Sequence, residues 1–121
     1  MDFNHSKKTQ DYIKRVKAFT DQHIYPVEEQ IYAQTHELNP SGDWKNWKTH
    51  PLIASLKKKA QEAGLWNLFM PDKELGQGLT TLEYAPQAEK MSRVLFTSEI
   101  FNCNAPDTGN IEVLYHSGNE Y

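Results

Sequence analysis

The residue types that could carry out chemistry in this sequence are its five histidines, its one cysteine and its scattered carboxylates. The histidines are His5, His23, His36, His50 and His116. None lies four residues from another, and neither an HExxH nor a CxxC motif occurs, so the spacing is not that of a zinc site. We therefore predict that the chain has no metal site.

The single cysteine is a poor candidate for a nucleophile. A reactive thiol needs a base within hydrogen-bond reach, and Cys103 lies between Asn102 and Asn104, neither of which accepts a proton. We predict a buried, inert thiol within a short helix. Because one cysteine cannot form an internal disulfide, the sequence favours a reducing, cytoplasmic location.

Glycines and paired carboxylates provide no further catalytic group. Gly76 and Gly78 form a GxG that follows no strand and precedes no GK[ST], so it matches neither a dinucleotide fingerprint nor a P-loop. A tight turn is the better interpretation. Glu28 and Glu29 are adjacent and point to different parts of a helix surface, which is typical of solvated charges rather than of an acid–base pair.

Composition and charge also restrict the function. The chain has 121 residues, 38% of them apolar and 24% charged, which fits one globular domain. Its net charge is −3, and the one basic cluster, residues 57–59, is best explained as a solvated helix face. No apolar run approaches the ~20 residues of a membrane span. These features favour neither nucleic acid nor membrane as a partner.

The apolar spacing predicts an all-α fold, an up-and-down-like bundle of four to six helices. In the first segment, apolar residues recur every three or four positions after a candidate N-cap, Ser6. Pro26 falls inside this pattern and lacks a backbone donor, so we expect a break near Tyr25. The helix should resume at about Val27 and end before Asn39.

Caps and glycines set the limits of the next two helices. Pro51 suits a first helical turn, and Gly64 suits the left-handed position that ends a helix. Thr80 and Glu83 have capping-box spacing, so a third helix should begin near Thr80.

Two more helices complete the predicted bundle. A short one should cover 97–103, and a last one should begin at Asn104 or Ala105, run to about His116 and end at Gly118. We also expect three large side chains to pack onto the bundle: Trp44, Trp47 and Leu95.

Two long stretches resemble the acyl-CoA dehydrogenase family. Residues 60–93 read AQEAGLWNLFMPDKELGQGLTTLEYAPQAEKMSR, and residues 101–120 read FNCNAPDTGNIEVLYHSGNE. The second stretch, together with YPVEEQI at 25–31, looks like the branch often fused to an aminoglycoside-phosphotransferase-like kinase domain. Two departures are the glycine turn, ELGQGL in place of Gly-Gly-x-Gly, and the ending SGNEY.

The resemblance implies that residues 1–121 form the N-terminal helical domain of such an enzyme, without its middle β-domain and C-terminal helical bundle. The parent would be an FAD-dependent oxidoreductase that oxidises an acyl-CoA at its α and β carbons. It would pass electrons to an electron-transfer flavoprotein and would be a homo-oligomer. The flavin-binding segment and catalytic glutamate would lie beyond Tyr121. We therefore expect no catalytic residue, no bound FAD and no turnover in this chain alone.

The resemblance also implies a substrate-facing segment. The family's N-terminal domain helps to wall the acyl tunnel, and the carry-over places Asn104, Ala105 and Thr108 at that wall. Ala105 and Thr108 are three residues apart and share a helix face. The competing interpretations are that they pack between helices, that Asn104 caps the last helix, and that Asp107 interacts with the helix dipole.

A non-enzymatic alternative is a stand-alone, truncated helical interaction module. Apolar side chains that face other domains in the parent would then be exposed and drive self-association. The residues expected there are Trp66, Leu68, Phe69 and Ile100.

Overall fold

The computed structural model describes residues 4–119 and contains six α-helices in that part of the chain. These are α1 (Lys7–Phe19), α2 (Glu28–Leu38), α3 (Pro51–Glu62), α4 (Thr81–Met91), α5 (Thr97–Ile100) and α6 (Asp107–Ser117). Within the described range there is no β-strand. The predicted all-α bundle is therefore confirmed. No helix between residues 4 and 119 combines the length and apolarity that crossing a bilayer requires.

The break predicted near Tyr25 is confirmed. α1 runs into a π-helical turn, Thr20–Ile24, and then a 3₁₀ turn, Tyr25–Val27, before α2 begins. Pro26 lies in the 3₁₀ turn, where its missing N–H does not interrupt an α-helical ladder. Ile24 is fully buried in this widened region, so the break still supplies a core residue.

The core is formed where α1 packs on α4 and α3 packs on α5. Phe19 of α1 and Phe101, just after α5, stack at a tilt with ring centroids 5.2 Å apart. Both are buried. This contact joins the two helix pairs and fixes the start of the chain segment that leads into α6.

The helix starts follow the predicted capping residues. Ser6 Oγ accepts a hydrogen bond from the Thr9 N–H at 3.1 Å. At α4 the full capping box forms: Thr80 Oγ1 accepts from the Glu83 N–H, and the Glu83 carboxylate accepts from the Thr80 N–H at 3.0 Å. The Ser6 hydroxyl also donates to Glu83 Oε1 at 3.1 Å. One carboxylate therefore ties the N-termini of α1 and α4 together.

We expect Glu83→Gln to destabilise the fold by about 1 kcal/mol at pH 7, the usual cost of a lost cap. The backbone N–H of Thr80, then Ser6 and Lys8, hold the pKa of Glu83 below its ordinary value against partial desolvation. Because the folded-state pKa is lowered, the Glu83 carboxylate contributes to the free energy of unfolding at pH values above its unfolded-state pKa. This contribution is lost as the pH falls through the folded-state pKa. Urea unfolding at pH 7 and about pH 3 measures it.

The control for this prediction is Glu89→Gln, which changes a more exposed carboxylate of the same helix. Its effect should stay within about 0.5 kcal/mol at both pH values. An equal loss in both variants, or a Glu83→Gln loss that persists in acid, contradicts the shared cap.

α3 is confirmed at both ends. It begins at Pro51, and the His50 Nδ1 accepts from the Leu52 N–H at 3.1 Å while its Nε2 lies 2.6 Å from Gln34 Oε1. This arrangement places the ring proton on Nε2. After α3, Gly64 adopts a φ of +66°, as predicted for a left-handed ending.

The structure corrects the expected packing of three side chains. Trp44 is 78% exposed, Trp47 is 55% exposed and Leu95 is 86% exposed. The tryptophans lie on and beside a 3₁₀ turn, Trp44–Asn46, on the surface, where Lys45 covers the Trp44 ring. Leu95 lies in the turn between α4 and α5 and points away from the core.

The four apolar residues expected on an exposed face are also reassigned. Leu68 and Ile100 are fully buried, and Trp66 and Phe69 are half-buried. The loop after α3 is hydrogen-bonded to Phe101, just after α5. Leu68 and Ile100 belong to the domain's own core, and Phe69 packs against that core. The most exposed apolar residues lie elsewhere and are Trp44, Leu82, Leu95, Val113 and Leu114.

Candidate functional site

The two stretches that carry the resemblance, 60–93 and 101–120, meet at the loop after α3 and the turn after α5. The Asn67 N–H donates to the Phe101 carbonyl at 3.0 Å. Asn67 and Asn102 have left-handed backbones, with φ of 56° and 54°. Asparagine tolerates this region better than other residues with a Cβ, so each turn reverses the chain without a glycine.

The two asparagine side chains join the turns directly. Asn102 Nδ2 donates to Asn67 Oδ1 at 2.7 Å, and Asn67 Nδ2 donates to the Leu75 carbonyl at 2.8 Å. Asn67 is buried and Asn102 is half-buried. We name this pair the amide clamp. Through it the turn after α5 is connected to the glycine turn at 72–78.

The glycine turn is confirmed as tight. Asp72 Oδ1 accepts from the N–H groups of Glu74 and Leu75, and Gly78 has a φ of +64°. A Cβ at Gly76 would overlap the Met70 carbonyl, and one at Gly78 would meet the Lys73 side chain. The space beside both glycines is therefore filled by the chain itself.

Cys103 follows the amide clamp and is buried, as predicted, but it lies after α5 and not within a helix. Burial raises the pKa of the thiol, and the facing N–H groups of Phe69 and Leu68 only partly oppose this. Burial, followed by the neighbouring thiol, raises the pKa of the Tyr84 hydroxyl. The Cys103 thiol and the Tyr84 hydroxyl are therefore both protonated at neutral pH, and this pair supplies neither a nucleophile nor a base.

The three predicted substrate-facing residues lie together at the start of α6. Ala105 is exposed, and Asn104 and Thr108 are half-buried. The Thr108 N–H donates to the Asn104 carbonyl at 3.2 Å. Asn104 Nδ2 donates to Asp107 Oδ2 at 3.0 Å, while Asn104 Oδ1 is buried without a hydrogen-bond partner in the protein.

The capping interpretation of Asn104 is wrong. Pro106 is the residue before α6, and no side chain accepts a hydrogen bond from the first turn. Asn104 lies two positions before Pro106, and its side-chain amide donates to the Asp107 carboxylate instead of accepting from the helix. Asp107 does lie in the first turn, where a negative charge interacts favourably with the helix dipole.

α6 is held differently from the other long helices. None of its residues is buried, and Val113 and Leu114 are 65% and 69% exposed. The pKa of the Asp72 carboxylate is lowered first by the N–H groups of Leu75 and Glu74 and then by the facing Tyr115 hydroxyl. α6 therefore lies on the domain with little apolar burial.

The amide clamp was not identified from the sequence, although a signal for it exists. Asn67 and Asn102 each interrupt a run of apolar residues, Leu-Trp-Asn-Leu-Phe and Ile-Phe-Asn-Cys. A polar residue with left-handed tolerance inside an apolar run indicates a buried turn.

Across residues 4–119, no group of three or more histidine, cysteine, aspartate and glutamate side chains is arranged to hold a metal ion.

Comparisons with known proteins agree on one family. Residues 6–121 match the sequence profile described as "Acyl-CoA dehydrogenase, N-terminal domain". The chain is 46% identical over 107 residues to acyl-CoA dehydrogenase family member 10 of Mus musculus, covering 84% of this chain and 9% of that protein. It is 42% identical over 118 residues to acyl-CoA dehydrogenase family member 11 of Gallus gallus, covering 98% of this chain and 14% of that protein.

A solved structure shows the same fold. A protein of Mycobacterium abscessus, assigned as an acyl-CoA dehydrogenase, superposes with a TM-score of 0.84 and 46% identity. The superposition covers 97% of this chain and 30% of that one. The chain thus spans less than a third of the length of each of these relatives.

Proposed function

This chain belongs to the acyl-CoA dehydrogenase family as an N-terminal domain, and we propose from that membership that it forms one wall of an acyl-CoA site. The complete enzyme would be FAD-dependent and would oxidise the acyl chain between its α and β carbons. Its electrons would pass to an electron-transfer flavoprotein, and its subunits would assemble as a homo-oligomer. The chain itself would contribute scaffold and substrate contact.

The part of the chain that the structure describes does not fit a flavin cradle. Its glycine-rich turn, 72–78, is packed against its own backbone and the Lys73 side chain, so it leaves no room for a phosphate or a ring. No step of the reaction is therefore assigned to a residue between 4 and 119. When bound elsewhere in the enzyme, the flavin would supply the hydride acceptor.

The observation that carries the proposal is the arrangement at the start of α6. Asn104, Ala105 and Thr108 lie together where no α6 side chain is buried, so this face does not serve the domain's own core. Asn104 Oδ1 lacks a protein donor. Ala105 and Thr108 have small side chains that are not buried, as the wall of a site for an apolar chain requires.

A chimera tests this proposal. We expect the M. abscessus relative to keep its flavin and its turnover when this chain replaces its matching 30%, because the two folds superpose closely. Hexanoyl-, dodecanoyl- and octadecanoyl-CoA serve as substrates, and bleaching of the flavin under anaerobic conditions reports the reaction. In that chimera, Ala105→Leu should lower kcat/KM by about tenfold for at least one acyl length, since a bulky side chain narrows the site.

The control is Ala33→Leu, which adds the same bulk at an exposed position of α2 and should leave all three rates unchanged. The isolated chain should show neither flavin absorbance nor turnover. A folded, flavin-loaded chimera without turnover contradicts the proposal and favours the interaction-module alternative. Equal effects of the two leucine substitutions contradict the placement of Ala105.

A further inference from the structure

The segment that carries Asn104, Ala105 and Thr108 has few contacts of its own. α6 buries no residue, and Ala105 is exposed. A helix of this length is marginal without packing. Something other than apolar burial must therefore fix where the segment lies.

The amide clamp is the nearest firm attachment. Asn102 is two residues before Asn104, and its Nδ2 donates at 2.7 Å to Asn67 Oδ1. Asn67 itself makes two further hydrogen bonds. Its N–H donates to the Phe101 carbonyl, and its Nδ2 donates to the Leu75 carbonyl. The clamp thus connects the start of the segment to a buried residue whose side-chain amide is bonded on both sides.

The hydrogen-bonding groups of Asn67 are all used in the amide clamp and its neighbouring loops. Asn67 Oδ1 accepts from Asn102, and both Asn67 donors are used on backbone carbonyls of two different loops. The left-handed backbone at both residues turns the chain so that the amides face each other. A change at Asn102 therefore removes an attachment that lies two residues before Asn104.

We propose that Asn67 and Asn102 are positioning residues that set the placement of the substrate-facing segment 103–108 and thereby the affinity for acyl-CoA. The proposal rests on the proposed function, since it assigns no chemistry of its own. Neither asparagine touches the reacting atoms. Their effect passes through the backbone of Cys103 to Asn104, Ala105 and Thr108.

The test uses the flavin-loaded chimera with Asn102→Gly, which keeps the left-handed backbone and removes the amide donor. We expect KM for the preferred acyl-CoA to rise about fivefold, the factor equivalent to one ordinary hydrogen bond. We expect kcat to stay within about twofold, because the clamp orders the binding wall and not the reacting groups. The matched control is Asn119→Gly, an exposed position outside the helices, which should change neither constant.

Asn102→Asp keeps the inference falsifiable if Asn102→Gly folds poorly, and a double substitution tests the contact itself. Asn102→Asp also tolerates the left-handed backbone but offers no donor to Asn67 Oδ1, so it should raise KM similarly. Asn67→Gly combined with Asn102→Gly should raise KM no more than Asn67→Gly alone, because the two residues form one contact.

The outcomes separate the two proposals. A working chimera in which Asn102→Gly lowers only the melting temperature, with KM unchanged, overturns the positioning role and leaves the proposed function intact. Additive effects of the two glycine substitutions also overturn it. An unmodified chimera that binds flavin without turnover overturns the proposed function and this inference together.

Discussion

Replacing Gln87 with glutamate is expected to destabilise the fold by about 3 kcal/mol or more at pH 7 and to have almost no effect below about pH 4. Gln87 is fully buried between α1 and α4. Its Nε2 donates to the carbonyls of Thr9 and Glu83, both at 3.3 Å, and its Oε1 is buried without a partner. A carboxylate there would face two carbonyl oxygens with no donor.

The direction of the pH dependence follows from the protonated form. A protonated carboxyl can still donate to one of the two carbonyls, so the introduced group would have a folded-state pKa raised above its unfolded value of about 4.3. A raised folded-state pKa means that the variant keeps its stability below the unfolded-state pKa. As the pH rises above that value, the variant should lose about 1.4 kcal/mol of unfolding free energy per pH unit until the folded-state pKa is reached.

Urea unfolding of Gln87→Glu at about pH 4 and at pH 7 measures this effect, with Gln87→Met as the matched control. Methionine has a similar volume and removes the unpartnered oxygen, so its cost should stay below about 1.5 kcal/mol at both pH values. Because Glu83 also titrates in acid, each variant is compared with the parent chain at the same pH. A loss for Gln87→Glu that does not change between the two pH values would show that the site admits water.

Gly76→Ala is the second substitution with a large expected effect, a destabilisation of about 3 kcal/mol. Gly76 does not need a positive φ; what it needs is space. The added methyl would overlap the Met70 carbonyl and approach Met70 Cβ and the Asp72 carbonyl. These are parts of the backbone and its first side-chain atom, so they cannot move aside without opening the glycine turn that supports Asn67.

Gly109→Ala is the matched control for this prediction. Gly109 lies in α6 with nothing within 4 Å of an added Cβ, so alanine should stabilise the helix by about 0.5–1 kcal/mol. Thermal and urea unfolding of the two variants should therefore shift in opposite directions. A Gly76→Ala protein as stable as the parent would mean that the turn at 72–78 is wider than the structure shows.

The local features of the fold were predictable because each depends on a few neighbouring residues. The capping box requires only Thr80 and Glu83, three positions apart, and the break near Tyr25 requires only the missing donor of Pro26. Gly64 ends α3 for an equally local reason. The sequence also placed Asn104, Ala105 and Thr108 in one short segment, although their role as a substrate wall comes from resemblance and remains a proposal.

What could not be predicted depends on residues far apart in the chain. Asn67 and Asn102 are 35 positions apart, and no spacing rule relates two turns that meet only after the helices have packed. Trp44, Trp47 and Leu95 were expected inside and are exposed, because burial depends on which surface lies opposite a side chain. Leu68 and Ile100 are buried for the same reason.

By itself, the sequence therefore determined the helices, the caps of α1 and α4, both ends of α3 and the family of the chain, since periodicity, caps and long motifs are properties of neighbouring residues. It did not determine the end of α5 or the start of α6, which were expected at 103 and at Asn104 or Ala105 and lie at Ile100 and Asp107. Only the tertiary structure decided that Cys103 lies against Tyr84, that α6 buries none of its residues, and that Asn67 and Asn102 form the amide clamp. The physical reason is that burial and hydrogen bonding between distant segments are set by packing.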